Sequence, residues 1–240
     1  GDVMADETIQ ALAFLHREPL LRVQSLAAFR RGTARILGQH QEGLLVHDRY
    51  SGLHFLSADS EQAVQALLPL LPEVQVLVSD YAPMDAFIMK QRGYRGRLAC
   101  INAVYQNMAP IPTDSRLQLQ PLPLHMAEMV AALNDTHDQQ EIEGFIRQER
   151  LLGGYLGDVL VGFAGWHEDD SLGMLHVFEE HRRQGHAQAL VALMLNQSLA
   201  KGYLPFGQVA ADNHASLALQ QKMGLTLSDK TVSWLFNEAE

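Results

Sequence analysis

The sequence predicts a mixed α/β (α+β) protein: a mostly antiparallel sheet with flanking helices, in two parts. Three observations carry this. Segments with helical spacing alternate with short extended runs along the chain. Leu151–Tyr155 and Leu160–Trp166 are joined through Gly157-Asp158, a hairpin signal. Asn107-Met108-Ala109-Pro110-Ile111-Pro112-Thr113-Asp114 holds two prolines among small and polar residues, which suits neither a central strand nor a helix interior. It reads as a linker between an N-terminal α/β domain, 1–112, and a second domain, 113–240.

The first part opens with helical spacing, Ile9, Leu12, Ala13 and Leu15, then Leu20, Val23, Leu26 and Phe29. Ala34–Leu37, Leu44–His47 and Leu53–Leu56 follow as an antiparallel meander punctuated by Gly43 and Ser51-Gly52. Ser60–Leu71 reads as an amphipathic helix and Val74–Val78 as a buried strand. Ala82–Gln91 reads as a helix stopped by Gly93, and Gly96–Tyr105 as a strand. The second part predicts a strand at Arg116–Leu119, then helices over Pro123–Leu133 and Asp138–Arg150. After the hairpin, Glu168-Asp169-Asp170-Ser171 makes a turn into a strand, Leu172–Phe178. His186–Lys201 is an apolar helix; Phe206–Ala211, Asn213–Met223 and Thr231–Phe236 read strand, helix, strand.

Composition narrows the function classes. Across 240 residues the apolar fraction is 47% and the charged fraction 19%, which excludes a disordered or collagen-like chain. No apolar run approaches the ~18 residues of a membrane span, so no membrane partner is expected. The acidic start, Gly1 to Glu7, lacks the order of a secretory signal. Cys100 is the one cysteine, so no internal disulfide forms; it reads as a buried strand residue in a reducing cytoplasm. The net charge of −10 argues against a nucleic-acid partner. Residues 116–240 carry 8 basic and 16 acidic groups, net −8, against net −2 for 1–115. That imbalance favours a cationic substrate such as an amine, or simply keeps the surface soluble.

The segment that carries chemistry is Leu175-His176-Val177-Phe178-Glu179-Glu180-His181-Arg182-Arg183-Gln184-Gly185-His186-Ala187. An apolar strand enters a short polar loop and a helix starts at once. Free N–H groups and the dipole at a helix N-terminus bind anions. Gly185 lets a pyrophosphate approach the backbone, Ala187 keeps the first turn slim, and Arg182 and Arg183 add charge-assisted contacts. A solvated helix start is the plainer alternative for the arginines.

This segment resembles the cofactor motif of the GNAT superfamily of acyl-CoA-dependent N-acyltransferases, Q/R-x-x-G-x-G/A, at Arg182, Gly185 and Ala187. Asn213-His214-Ala215-Ser216, Leu219, Lys222 and Gly224-Leu225 resemble a second family stretch downstream. The order of elements from residue 116 agrees, so the resemblance covers about the last half of the chain. The two-part layout is similar to the glycine N-acyltransferase-like branch, whose first half is a divergent relative of its second. An internal echo fits: Val76–Asp80 reaches Lys90 and Gly93 as Gln208–Asp212 reaches Lys222 and Gly224, with the glycines offset by one.

The resemblance implies a GNAT fold and an N-acetyltransferase in which an amine attacks the thioester of acetyl-CoA directly. It implies pyrophosphate held by Arg182, Arg183, Gln184, Gly185, His186 and Ala187. It implies pantetheine beside Leu175, Val177 and Phe178, the Val177 N–H serving as oxyanion donor. Asn213 and Ser216 match positions near the pantetheine, and Asn213 equally suits an N-cap. The general-acid tyrosine of the family is replaced by Gln220, which donates no acidic proton. His176 is the candidate base, with a packed strand histidine as the alternative; Glu168 and Asp170 are further carboxylates. The acceptor implied is a small amine or amino acid, the protein a monomer or homodimer. A CoA-binding module without turnover, and a transferase acting on a protein terminus or lysine, remain open.

Other chemistries lack their patterns. Neither G-x-G-x-x-G nor a G-x-x-x-x-G-K-S/T loop occurs, and Gly153-Gly154-Tyr155-Leu156-Gly157 leads into a strand rather than a helix. No G-x-S-x-G, H-E-x-x-H or closely spaced Cys/His set is present among the 11 histidines, so no metal is expected. His167-Glu168-Asp169-Asp170 reads as an exposed hairpin tip.

Overall fold

The structure, a computed structural model, describes residues 3–113, 116–134 and 137–237. Asp114 of the linker and Gly1 and Asp2 of the acidic start lie outside the described residues. In chain order the helices are α1 (Val3–Leu15), α2 (Val23–Arg31), α3 (Glu61–Leu67), α4 (Asp85–Arg92), α5 (Ala127–Ala132), α6 (Gln139–Arg147), α7 (His186–Ala200) and α8 (His214–Lys222). The strands are β1 (Ala34–His40), β2 (Gly43–Asp48), β3 (His54–Ala58), β4 (Val76–Ser79), β5 (Gly96–Val104) and β6 (Leu117–Pro121). They continue as β7 (Leu151–Leu156), β8 (Val159–Trp166), β9 (Leu172–Val177), β10 (Phe206–Ala210), β11 (Thr226–Leu227) and β12 (Val232–Phe236). Local chemistry fixes several ends. Ser60 and Asp138 cap α3 and α6 through the Ala63 and Glu141 N–H groups. No described helix is long and apolar enough to cross a membrane.

Contacts divide the chain into two units. One unit takes the described residues up to 104 together with 208–221 and those from 225 onward; the other takes 105–207 and 222–224. The cause is the late chain. β12 pairs antiparallel with both β4 and β5 (Trp234 opposite Val78 and Leu98), and β11 pairs with β5.

In the first unit, β1, β2 and β3 form the antiparallel meander and β3 runs parallel to β4. One face packs Leu45, Leu56, Leu67, Leu77, Ile88 and Leu235. The other packs Phe14, Leu15, Leu44, Val46, Phe55 and Val232. Cys100 on β5 is buried, and burial pushes its thiol up to about 11. Arg22 is wholly buried. Its guanidinium donates to Asp80 (3.2 Å), Asp59 (2.6 Å) and the Phe14 and Ala58 carbonyls. Burial pushes the Asp80 carboxyl up to about 6, against the pull of Arg22 and of hydrogen bonds from Ser57 and Ala58.

His54 of β3 lies opposite His47 of β2, rings stacked at 4.4 Å. Burial, then the neighbouring His47, lowers the His54 pKa from 6.5 to about 4. Below pH 6.5 the unfolded chain takes up a proton that the folded chain refuses. The contribution of His54 is therefore complete above pH 6.5 and is lost as pH falls toward 4, with a ceiling of about 3 kcal/mol. Urea unfolding at pH 7 and pH 5 should show a smaller loss in His54→Gln than in the wild type. Equal losses would mean that other groups set the slope.

In the second unit, β6, β7, β8 and β9 form an antiparallel run. α5 and α6 cover one face, packing Val130, Ile142, Phe145 and Ile146 against Leu151 and Phe163. α7 covers the other, placing Leu190 and Met194 against Val161 and Trp166. Trp166 is buried and donates its indole N–H to Ser198 Oγ (2.9 Å).

Candidate functional site

The site is built on β9 and the loop that follows. Gly165 of β8 pairs with Gly173 of β9, and Phe163 with His176, so Ala164 alone faces Met174 and Leu175. This is a β-bulge, and Met174 sits in it at φ 52°. On its other side β9 bridges β10, in parallel, at Gly207 opposite Leu172. The direction of the backbone groups follows from the ladder. The Phe178 N–H donates to the Val161 carbonyl on β8 (3.0 Å). Successive residues of an antiparallel strand aim their N–H and C=O groups to opposite sides, so those of Val177 point away from β8. The Val177 carbonyl is taken by Arg182 Nε (3.0 Å).

After β9 the chain makes one tight turn, Glu179–His181, and reaches Arg182 in extended conformation. Arg183 has φ 63° and Gly185 φ 81°, which bend the chain into the first turn of α7. No side chain caps this 15-residue helix, so its leading N–H groups face outward from a positive dipole end. Arg182, Arg183, Gln184 and Gly185 are all exposed. A cleft of about 410 Å³ lies here, lined by Gln184, Gly185 and His186 together with Ile111, Arg116 and Leu156. Arg116 adds a cation that the sequence reading placed at a strand start; its spacing from the motif offers no signal for this role.

Side chains of β9 alternate. Leu175 and Val177 pack toward α7. His176 stacks on Phe163 (5.4 Å) and meets Phe178 edge-on (5.8 Å), on the α5–α6 face. Burial, then the Arg182 charge, lowers the His176 pKa below 6.5, so the ring is neutral near pH 7. Leu175, His176, Val177, Phe178 and the loop to Ala187 thus form one contiguous set. Asn213, Ser216 and Gln220 belong to the other unit, along the start and body of α8. There Asn213 Oδ1 accepts the Ser216 N–H (3.2 Å), the capping role expected of it. Of the turn carboxylates, Asp170 is buried and bonded to Arg150 (2.8 Å), whereas Glu168 is exposed. The tip is therefore only partly solvated, contrary to the sequence reading.

Residues 119–225 match the family model described as Acetyltransferase (GNAT) family. The likeness to the GNAT family is confined to this segment, under half of the chain. Solved structures agree on the fold. A Drosophila protein solved by a structural genomics consortium aligns with TM-score 0.61 and 17% identity over 84% of this chain and 76% of its own. An acetyltransferase of the GNAT family from Colwellia psychrerythraea gives 0.50 and 14% over 83% and 82%. A GCN5-related N-acetyltransferase from Kribbella flavida gives 0.52 and 11% over 92% and 96%. At such identities the likeness concerns the fold alone. A comparison with curated proteins finds no match. The matched segment contains both quoted motifs, Arg182–Ala187 and Asn213–Leu225.

Proposed function

We propose that this chain is an N-acetyltransferase that moves the acetyl group of acetyl-CoA onto a primary amine, a small amine or amino acid. One observation carries the reading. The bulged strand β9 aims the Val177 N–H away from β8, and the same strand runs into the uncapped, arginine-bearing start of α7. Backbone N–H groups at that helix end, with Arg182 and Arg183, hold the pyrophosphate. The Val177 N–H donates to the thioester oxygen as negative charge gathers there. His176, neutral near pH 7, accepts the ammonium proton before attack. The amine nitrogen then bonds to the carbonyl carbon and gives up its second proton to solvent, the C–S bond breaks, and its electron pair leaves on sulfur. Gln220 offers no acidic proton, so the thiolate takes one from solvent. The N-terminal part is, on the same reading, a degenerate GNAT-like half, a divergent relative of the second, as in the glycine N-acyltransferase-like branch.

Thiol release from acetyl-CoA, screened over free amino acids, small amines and lysine peptides, tests the transfer. Turnover with small amines is expected. Binding without any thiol release would make the chain a CoA-binding module, and a preference for peptides would move the acceptor class. The pH profile tests the base. As pH falls, kcat/KM should decline through an ionisation below the ordinary histidine value, because His176 must be neutral to act. His176→Gln should lose that limb and about 100-fold in rate. A limb that follows the amine's own pKa and survives the substitution would remove His176 from the mechanism.

A further inference from the structure

The turn between β8 and β9 meets the segment that opens α6, and this meeting brings together residues no local motif joins. His137 Nε2 lies 3.2 Å from His167 Nδ1, across thirty residues of chain. Glu168 Oε1 lies 3.9 Å from His137 Nδ1, the ring nitrogen that also faces Glu141. One donor atom from each of His137, His167 and Glu168 falls within 4.8 Å of the others. We propose that these three residues bind a divalent transition-metal ion, with Glu141 as the outer partner of His137.

Four features support the assignment. The first is spacing. Two imidazole nitrogens on a tetrahedral zinc, each at about 2.0–2.1 Å from it, stand roughly 3.3 Å apart, close to the observed separation. The second is orientation. Glu141 Oε2 sits 2.9 Å from His137 Nδ1. A proton held there leaves the Nε2 lone pair turned toward His167, the carboxylate–histidine arrangement that supports metal ligands. The third is preorganisation. The His137 side chain is only 8% exposed, its ring set edge-on to Phe145 at 5.0 Å. The His167 carbonyl is fixed by Arg150, and Gly173 clears the space that the His167 ring fills, since a Cβ there would collide with it. The fourth is donor chemistry. Two imidazoles and one carboxylate suit zinc, cobalt or nickel, whereas calcium and magnesium favour oxygen-only cages. Three protein ligands leave a fourth position for water. A bound ion would tie the start of α6 to the β8–β9 turn. The proposal is independent of the acetyl-transfer reading, because binding is read on the protein alone.

The test is titration of chelator-treated protein with Co²⁺, followed by visible absorption, and with Zn²⁺, followed by thermal unfolding. One equivalent of Co²⁺ should develop the intense bands of a four-coordinate ion, and Zn²⁺ should raise the melting temperature. Glu168→Gln alters an exposed side chain, so its fold should survive while affinity falls ~10-fold or more. Glu141→Gln should weaken binding ~10–100-fold through the outer partner, and His137→Ala should abolish it. His47→Gln, in the stacked pair of the other unit, should leave both titrations unchanged. Absence of Co²⁺ bands in the wild type would overturn the proposal and leave the rings as a hydrogen-bonded pair. Undiminished affinity in both His137→Ala and Glu168→Gln would overturn it too, placing the ion on other histidines.

Discussion

Gly185→Val should abolish measurable acetyl-CoA binding while the protein still folds. Gly185 holds φ 81° at the entry to α7, and an added Cβ there meets no atom within 4 Å. The fold therefore has room for a side chain but the backbone conformation resists one, at a cost of ~1–2 kcal/mol for a residue with a Cβ. Relaxing that strain turns the leading N–H groups of α7 away from the cleft, and the isopropyl group covers what remains. Loss of two charge-assisted hydrogen bonds, ~1.5–3 kcal/mol each, already corresponds to at least ~100-fold in affinity. Calorimetry with acetyl-CoA, alongside a melting curve for the variant, checks this. Unchanged affinity in a folded variant would detach the loop from the cosubstrate.

Arg22→Ala should destabilise the first unit by about 3–5 kcal/mol, a large part of the ~5–15 kcal/mol that holds an ordinary domain. Arg22 is wholly buried, and its guanidinium bridges Asp80, Asp59 and two carbonyls. Removing it leaves Asp80 without its cation in a site where burial lifts the carboxyl to about 6 even against the pull of Arg22. A second substitution, Asp80→Asn, should recover part of the loss because it removes the stranded charge. Urea unfolding of both variants gives the comparison. A loss below 1 kcal/mol in Arg22→Ala would mean that water reaches Asp80.

Much of this was legible along the chain because the signals are local. The apolar run before Arg182, the glycine at 185 and the apolar helix after it announce strand, loop and helix within thirteen residues. Asn213 announces its cap in the same way. What stayed hidden depends on partners far away in sequence. Nothing in Gly173-Met174-Leu175 marks the bulge, which exists only relative to Ala164 on the neighbouring strand. Arg22 sits between Leu21 and Val23 with no sign that its partner is Asp80. His137 and His167 look like separate polar residues until two elements meet. The two-residue β11 is too short for any periodicity to reveal.

The position of β12 has a consequence for how the chain is made. On the ribosome β4 and β5 emerge long before residues 232–236, which lie between them in the finished sheet. Until then each offers an open edge of N–H and C=O groups, the kind of surface that recruits neighbouring nascent chains. The first unit cannot close until residues 232–236 have been made. A fragment cut at the linker would keep its meander and lose the strand that joins β4 to β5. Such a fragment should be sticky in a way the full chain is not, and the late strand acts as the molecule's own closing clasp.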